Sequence, residues 1–425
     1  MRRLLALVLA AALILSFASC TGNSNPGGGD TVANTNNSSS SASTGVESFV
    51  SDLTSSGFEF TESVTSDGNI IIDMETPNED PDDPVGDTTA RPSVPSIDNM
   101  PDEDETEETP SVPTVSTPSV DSTATPPGNN TVSSTPSVTT KPTYTYTSGQ
   151  KHTAVGLHSR FLYNTLNADE KAFYNAIDTA VRNLESRVWT DKYPYENNLY
   201  FVYYIYMFDN PEHFYLGNSL TIVSQGGRYA LILGYSDGVV HCKYGTAVPE
   251  LNDALRQSIR AKKSKFDAAV NRIVSTIPSN APAAHKEKLI YDYIQSNCSY
   301  NESAVWNGFC EDNWNAYGCI INKKGVCEAY AEAFQLLCLE VGINATCITG
   351  TYSGSHKWSA VQLDGEWYAC DLTFDDPIGG GGKLYHSCFN RTSDWFTSRG
   401  YSTKSSKFKV PNCNGTKYSY NNYFK

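Results

Sequence analysis

The sequence predicts an α+β fold over its last two thirds, carried behind a long acidic leader that does not fold. Three observations lead there. Residues 1–150 hold 21 acidic and 4 basic side chains, whereas the remainder holds 26 and 27. The chain's net charge of −16 therefore sits in its first third, and the nearly neutral remainder does not suggest a basic-patch nucleic-acid partner. Secondly, Gly325-Val326-Cys327 opens a strongly helical stretch from Glu328 to Val341, closed by Gly342. Thirdly, Asp364-Gly365 joins two strand-like runs, the strongest two-residue hairpin signal.

Taken in order, Arg2 and Arg3 precede an apolar run from Leu4 to Phe17 that is too short to span a bilayer comfortably. Phe17-Ala18-Ser19-Cys20 resembles a bacterial lipobox, whose cysteine takes lipid after cleavage, although the pattern prefers Leu where Phe17 stands. We expect a lipoprotein signal over 1–20, lipid attachment at Cys20 and an extracytoplasmic protein held on a bacterial membrane. The alternative is a plain secretory signal with an incidental cysteine. Residues 21–150 are rich in Ser, Thr, Pro, Asn and Asp, and cannot bury enough apolar surface to offset their chain entropy. They read as a disordered tether. Locally apolar pieces within 46–73, such as Ile70-Ile71-Ile72, are a partial exception, still expected to be disordered.

A small α/β region is expected over 151–250. Asn167 and Glu170 form a capping-box signature, and Phe173, Ile177, Val181 and Leu184 recur at helical spacing. The aromatic run ending at Phe208 fits a buried helix or a buried strand, and Asp209-Asn210-Pro211 ends it. Leu220–Val223 and Tyr229–Leu233 flank Gln225-Gly226-Gly227 as a β-hairpin. No chemistry is visible in this region. The span 251–425 follows as the catalytic domain. It starts with a helix over about 251–277 and a second over Ala283 to Gln295, carrying Leu289, Ile290 and Tyr293 on one side.

Cys327 stands at the start of the 328–341 helix. The free N–H groups and dipole there favour a thiolate and can hold an oxyanion. A thiolate nucleophile works with a histidine that protonates the leaving nitrogen and a carboxylate that orients it. If Asp364-Gly365 is the turn, Leu363 pairs with Glu366, Trp358 faces Asp371 and His356 faces Thr373. His356 and Asp371 are then diagonal neighbours on one face, the geometry of a base and its orienter. A slip of one residue would undo this. The structural alternative is a hairpin with an ordinary His and Asp. Trp358 either lines the acyl site, adjacent to substrate, or packs the sheet.

These motifs carry a resemblance. Gly325-Val-Cys327-Glu-Ala-Tyr-Ala331, Gly342-Ile343, His356-Lys-Trp358, Asp364-Gly-Glu-Trp-Tyr368 and Asp371-Leu-Thr-Phe-Asp-Asp-Pro377 resemble the transglutaminase-like domain of the papain-like cysteine-peptidase superfamily. The helix Lys286–Ile294 with Cys298-Ser-Tyr300 resembles the stretch before the nucleophile in bacterial members. The resemblance covers roughly 265–390. It implies an α+β core with the nucleophile's helix packed on an antiparallel sheet, Cys327 as nucleophile, His356 as base and Asp371 as orienter. Many relatives have Gly where Ala329 stands, Asn at Ser359 and Trp at Phe374. These departures bear on substrate preference and site shape, not on the triad.

Eleven cysteines are present. Apart from Cys20 and Cys327, an odd nine remain; Cys310–Cys319 is the most plausible short disulfide, with Cys338 and Cys370 expected as buried thiols. Asp312, Asn313 and Asn315 lack the spacing of a calcium loop, so metal-free, cofactor-free chemistry is expected. The expected partners are a protein or peptide substrate, cell-wall peptide by location, and the membrane through the N-terminal lipid, with no nucleic acid. The function classes left are a thiol acyltransferase or hydrolase acting on amides, a non-catalytic surface scaffold that keeps the fold, and an adhesive role for the acidic segment.

Overall fold

The computed structural model describes residues 60–64, 70–74, 151–189, 199–225, 228–237, 251–306, 311–377, 382–404 and 406–425. All fall within one compact unit, Leu53–Lys425. The expected signal and Cys20 lie outside the described residues. So does the expected tether, apart from two short strands.

Those strands, β1 (Phe60–Val64) and β2 (Ile70–Met74), pair with each other and extend a sheet of the following region. For these ten residues the expectation of disorder is corrected. The Ile70-Ile71-Ile72 triplet supplies β-branched residues that suit a ladder, and it pairs with Ile222, Thr221 and Leu220.

Helix α1 (Ala168–Asn183) begins at the expected capping box: Asn167 accepts from the Asp169 and Glu170 amides, and Glu170 accepts from the Asn167 amide at 2.8 Å. Phe173, Ile177, Val181 and Leu184 are all buried. Strand β3 (Arg187–Trp189) follows. The aromatic run forms helix α2 (Leu199–Asp209), ended by a 3₁₀ turn at Pro211–His213. The hairpin is β4 (Leu216–Gln225) with β5 (Arg228–Tyr235). The antiparallel sheet runs β1-β2-β4-β5-β3.

Helix α3 (Asp253–Thr276) and helix α4 (Ala283–Asn297) match the expected spans. The buried face of α4 differs from the expected one. It carries Ala284, Glu287, Ile290, Tyr291 and Ile294, whereas Leu289 is 38% exposed. A glutamate inside the helix face displaced the apolar reading: Glu287 accepts from Asn390 Nδ2 at 3.0 Å.

Strand β6 (Ser299–Tyr300), helix α5 (Glu302–Trp306) and a π-helical turn at Gly318–Asn322 lead to strand β7 (Lys324–Gly325), which pairs in parallel with β6. Helix α6 (Cys327–Glu340) is the centre of the fold. The expected stripe Val326, Tyr330, Phe334, Leu337 and Val341 is buried, and so are Ala329, Ala331, Gln335, Leu336 and Cys338 on its other sides. Gly342 ends it with φ of +85°, a left-handed conformation that glycine adopts without a Cβ penalty. Strands β8 (Ala345–Thr351), β9 (Ser355–Leu363) and β10 (Glu366–Cys370) form an antiparallel sheet in the order β10-β9-β8. Leu363 pairs with Glu366 and Ser359 with Cys370, the register expected from the Asp364-Gly365 turn. Both turn residues have positive φ, +50° and +86°. Helix α7 (Ser393–Ser398) and the C-terminal segment close over the sheet, where Ser402 bridges to Thr351 and Arg391 to Ala369.

Candidate active site

The α6 N-terminus is built by close backbone approach. Val326 is extended, and its amide donates to the Asn313 carbonyl at 3.0 Å. A Cβ on Gly325 would lie 2.4 Å from the Ala329 Cβ, so only glycine lets the strand run this tightly into the first turn. Cys327 is thereby the first residue of α6, where backbone N–H groups have no partner inside the helix.

His356 lies near the start of β9, and Asp371 directly follows β10. The register brings them together: His356 Nε2 and Asp371 Oδ2 are 2.7 Å apart. Cys327, His356 and Asp371 retain 4%, 2% and 1% of their exposure. Burial pushes the imidazole's pKa down. The charge and hydrogen bond of Asp371, then the hydrogen bond and charge of Cys327, outweigh this and hold it at about 10. With Nε2 engaged by Asp371, Nδ1 is the nitrogen left to face the thiol.

Asp371 is held on every side. Its Oδ1 accepts from the Thr373 and Phe374 amides at 3.0 and 3.4 Å. Its Oδ2 also accepts from the Tyr401 hydroxyl at 2.8 Å. Behind it, Tyr291 of α4 donates to Asp375 Oδ2 at 2.7 Å, and Asp375 accepts from the Cys388 amide at 3.0 Å. Burial pushes the Asp375 carboxyl up to about 7, against these hydrogen bonds. Tyr300 lies near Cys327 and Asp371; burial first, then those charges, push its hydroxyl up.

A second clamp ties the two halves of the site. Lys357, next to His356, pairs with Glu328, next to Cys327, and with Glu332 at 3.2 Å. Its ammonium lies 4.2 Å from the Phe208 ring centroid at the end of α2. Burial pushes Glu332 up to about 7 even with Lys357 beside it.

The structure thus brings Cys327, His356 and Asp371 together. Trp358 lies behind the imidazole. It is 3% exposed, stacks on the His356 ring at 5.9 Å and on Phe396 at 6.3 Å, and belongs to a core cluster with Ile348 and Tyr401. Cys319 is a buried free thiol close to Cys298; Cys310, its expected partner, lies outside the described residues. Cys338 and Cys370 are buried free thiols. Among the described residues, no three His, Cys, Asp or Glu side chains converge as a metal site requires. Tyr401, Tyr300 and Tyr291 were not legible as site residues. The Lys357–Glu328 pair did leave a signal: opposite charges each directly following a proposed triad member.

Comparison with known proteins agrees on the domain. The family model described as the transglutaminase-like superfamily matches residues 267–372. No curated protein matches the chain. Among solved structures, one described as a TGase aligns at 13% identity with a TM-score of 0.25, covering 37% of this chain and 45% of that one. A candidate cysteine protease from Cytophaga hutchinsonii aligns at 17% identity and 0.22, covering 39% and 64%. A candidate protease from Parabacteroides distasonis aligns at 9% and 0.18, covering 37% and 39%. The chain spans less than two thirds of each of these structures.

Proposed function

We propose, from the match of residues 267–372 to the transglutaminase-like superfamily model, a thiol acyl-transfer enzyme acting on Gln carboxamides or peptide amides through Cys327, His356 and Asp371. One observation carries this reading: the 2.7 Å bond between His356 and Asp371, with Cys327 at a helix start in contact with the same imidazole.

In the proposed cycle the Cys327 thiolate attacks the amide carbon, forming a C–S bond while the carbonyl oxygen takes up negative charge. First-turn N–H groups of α6 hold that oxyanion. Imidazolium His356 gives its proton to the leaving nitrogen, the C–N bond breaks, and an acyl thioester remains. Water or a primary amine then attacks the thioester and loses a proton to His356. The thiolate leaves, and hydrolysed or transferred product is released. Asp371 keeps the imidazole oriented and stabilises its charged form throughout. Cell-wall peptide is the acyl donor that fits the extracytoplasmic expectation.

The test incubates the full chain, wild type and Cys327→Ala, with Gln-containing proteins and cell-wall peptides plus a labelled primary amine. Mass spectrometry scores amine incorporation, deamidation and cleavage together. Incorporation that needs Cys327 makes the protein a transferase; deamidation or cleavage that needs it makes a hydrolase. Product formation identical in both forms, or absent from both, would contradict the reading and favour a binding module that keeps the fold.

A further inference from the structure

Tyr401 lies 30 residues beyond Asp371, outside the span matched by the family model. Its place is fixed by backbone. Gly400 turns the chain with φ of +94° after α7, the Tyr401 amide donates to Phe396 O at 3.2 Å, and Ser402 exchanges two hydrogen bonds with Thr351 at 2.8 and 2.9 Å. The ring stacks on Tyr352 at 4.4 Å and meets Trp358 and Phe396 edge-on at 5.3 and 4.6 Å. Packing alone would be served by phenylalanine here, since a buried hydroxyl costs free energy unless it is hydrogen-bonded. The hydroxyl instead reaches the oxygen that also binds His356.

We propose that Tyr401 is a positioning residue of this site, its hydroxyl locking the Asp371 carboxylate in rotation and sharing Oδ2 with His356 so that the hold on the imidazole is moderated. The inference rests on the function proposed above. With the two amides on Oδ1, the carboxylate has four donors and cannot turn without breaking bonds. Other groups facing Asp371 are Asp375 on the same turn, Tyr291 of α4, Cys388, Tyr352, Tyr300 and Cys327. None of these changes in Tyr401→Phe. That variant leaves Oδ2 to His356 alone, concentrates charge on the shared bond, and strengthens the thiolate–imidazolium pair.

The test is the rate of Cys327 alkylation by iodoacetamide against pH, followed by mass spectrometry on the full chain. It compares wild type, Tyr401→Phe and Asp371→Asn, with a thermal melt of each. In Tyr401→Phe the acid step, where the thiolate forms, moves down by about half a unit to one unit, and the alkaline step, where His356 loses its proton, moves up by a similar amount. Profiles that superimpose on wild type, while Asp371→Asn shifts them, overturn the inference and leave the proposed function standing. A melting temperature that falls with both steps unmoved makes Tyr401 a packing residue and also overturns it. A wild-type Cys327 that titrates as an isolated thiol, indifferent to Asp371→Asn, removes the proposed function and this inference together.

Discussion

Gly350→Ala tests how the sheet beneath the site is closed. Gly350 lies opposite His356 in the β8–β9 ladder. An alanine Cβ there would sit 2.1 Å from Ser402 O, 3.1 Å from Ser402 C and 2.7 Å from Trp358 Cη2, all well inside the carbon contact distance of about 3.5–4.0 Å. The worst overlap is with a backbone oxygen, so no rotamer change relieves it. Either Ser402 retreats, losing its two hydrogen bonds to Thr351 at 2.8 and 2.9 Å, or β8 does. Two such bonds contribute about 0.5–1.5 kcal/mol each, and overpacking costs about 1–3 more, so about 2–6 kcal/mol is expected. For a domain of this size that lowers Tm by roughly 5–20 °C. Urea and thermal unfolding of the two forms measure it. A loss below about 1 kcal/mol would refute the account, because the C-terminal segment would then yield freely where it is described as wedged.

Two further outcomes concern stability. Burial holds the Glu287 carboxyl up at about 8, against hydrogen bonds from Asn390 and Cys370. The native state therefore keeps a proton that the unfolded chain releases near 4.5, and stability, full below that value, falls as pH rises toward 8. Glu287→Gln should flatten this fall and raise alkaline-side stability by up to about 5 kcal/mol at 1.36 per unit; urea unfolding on both sides of the window reads it, and parallel pH curves for both forms would count against it. Ile290→Ala should cost about 2–5 kcal/mol and Leu289→Ala under about 0.5. A loss at Leu289 as large as that at Ile290 in thermal melts would restore the helix face expected from sequence.

What could be read in the sequence was local or followed from one turn. The Asn167 box, the Gly342 stop and the Asp364-Gly365 turn are short-range devices whose geometry a few residues dictate. Because a two-residue turn sets pairing, it carried the reading to the His356–Asp371 contact 15 residues apart. The rest depended on tertiary neighbours. The tyrosines of α2 find separate partners, Tyr203 on Gly217 O and Tyr206 on Asp178, so no periodicity separated helix from strand. The burial of Glu287 left no local signal, because its donor Asn390 lies 103 residues on. Cys319 was matched with Cys310, nine residues before it, and its neighbour in the fold is Cys298, 21 residues before it. Tyr401 has no sequence signal, because its partner is chosen by the return of a distant segment.

The seating of the segment before α1 has a mechanical consequence. The Val155 amide donates to Leu339 O at 2.8 Å, and the Thr153 carbonyl packs so close to Gly342 that a Cβ there would meet it at 2.7 Å. The chain entering α1 is thus fastened at the C-terminal pole of α6, whereas Cys327 occupies the opposite pole of this 14-residue helix, about 21 Å away at 1.5 Å per residue. A pull on residues 153–155 is borne at Leu339 and Gly342, a full helix length from the nucleophile.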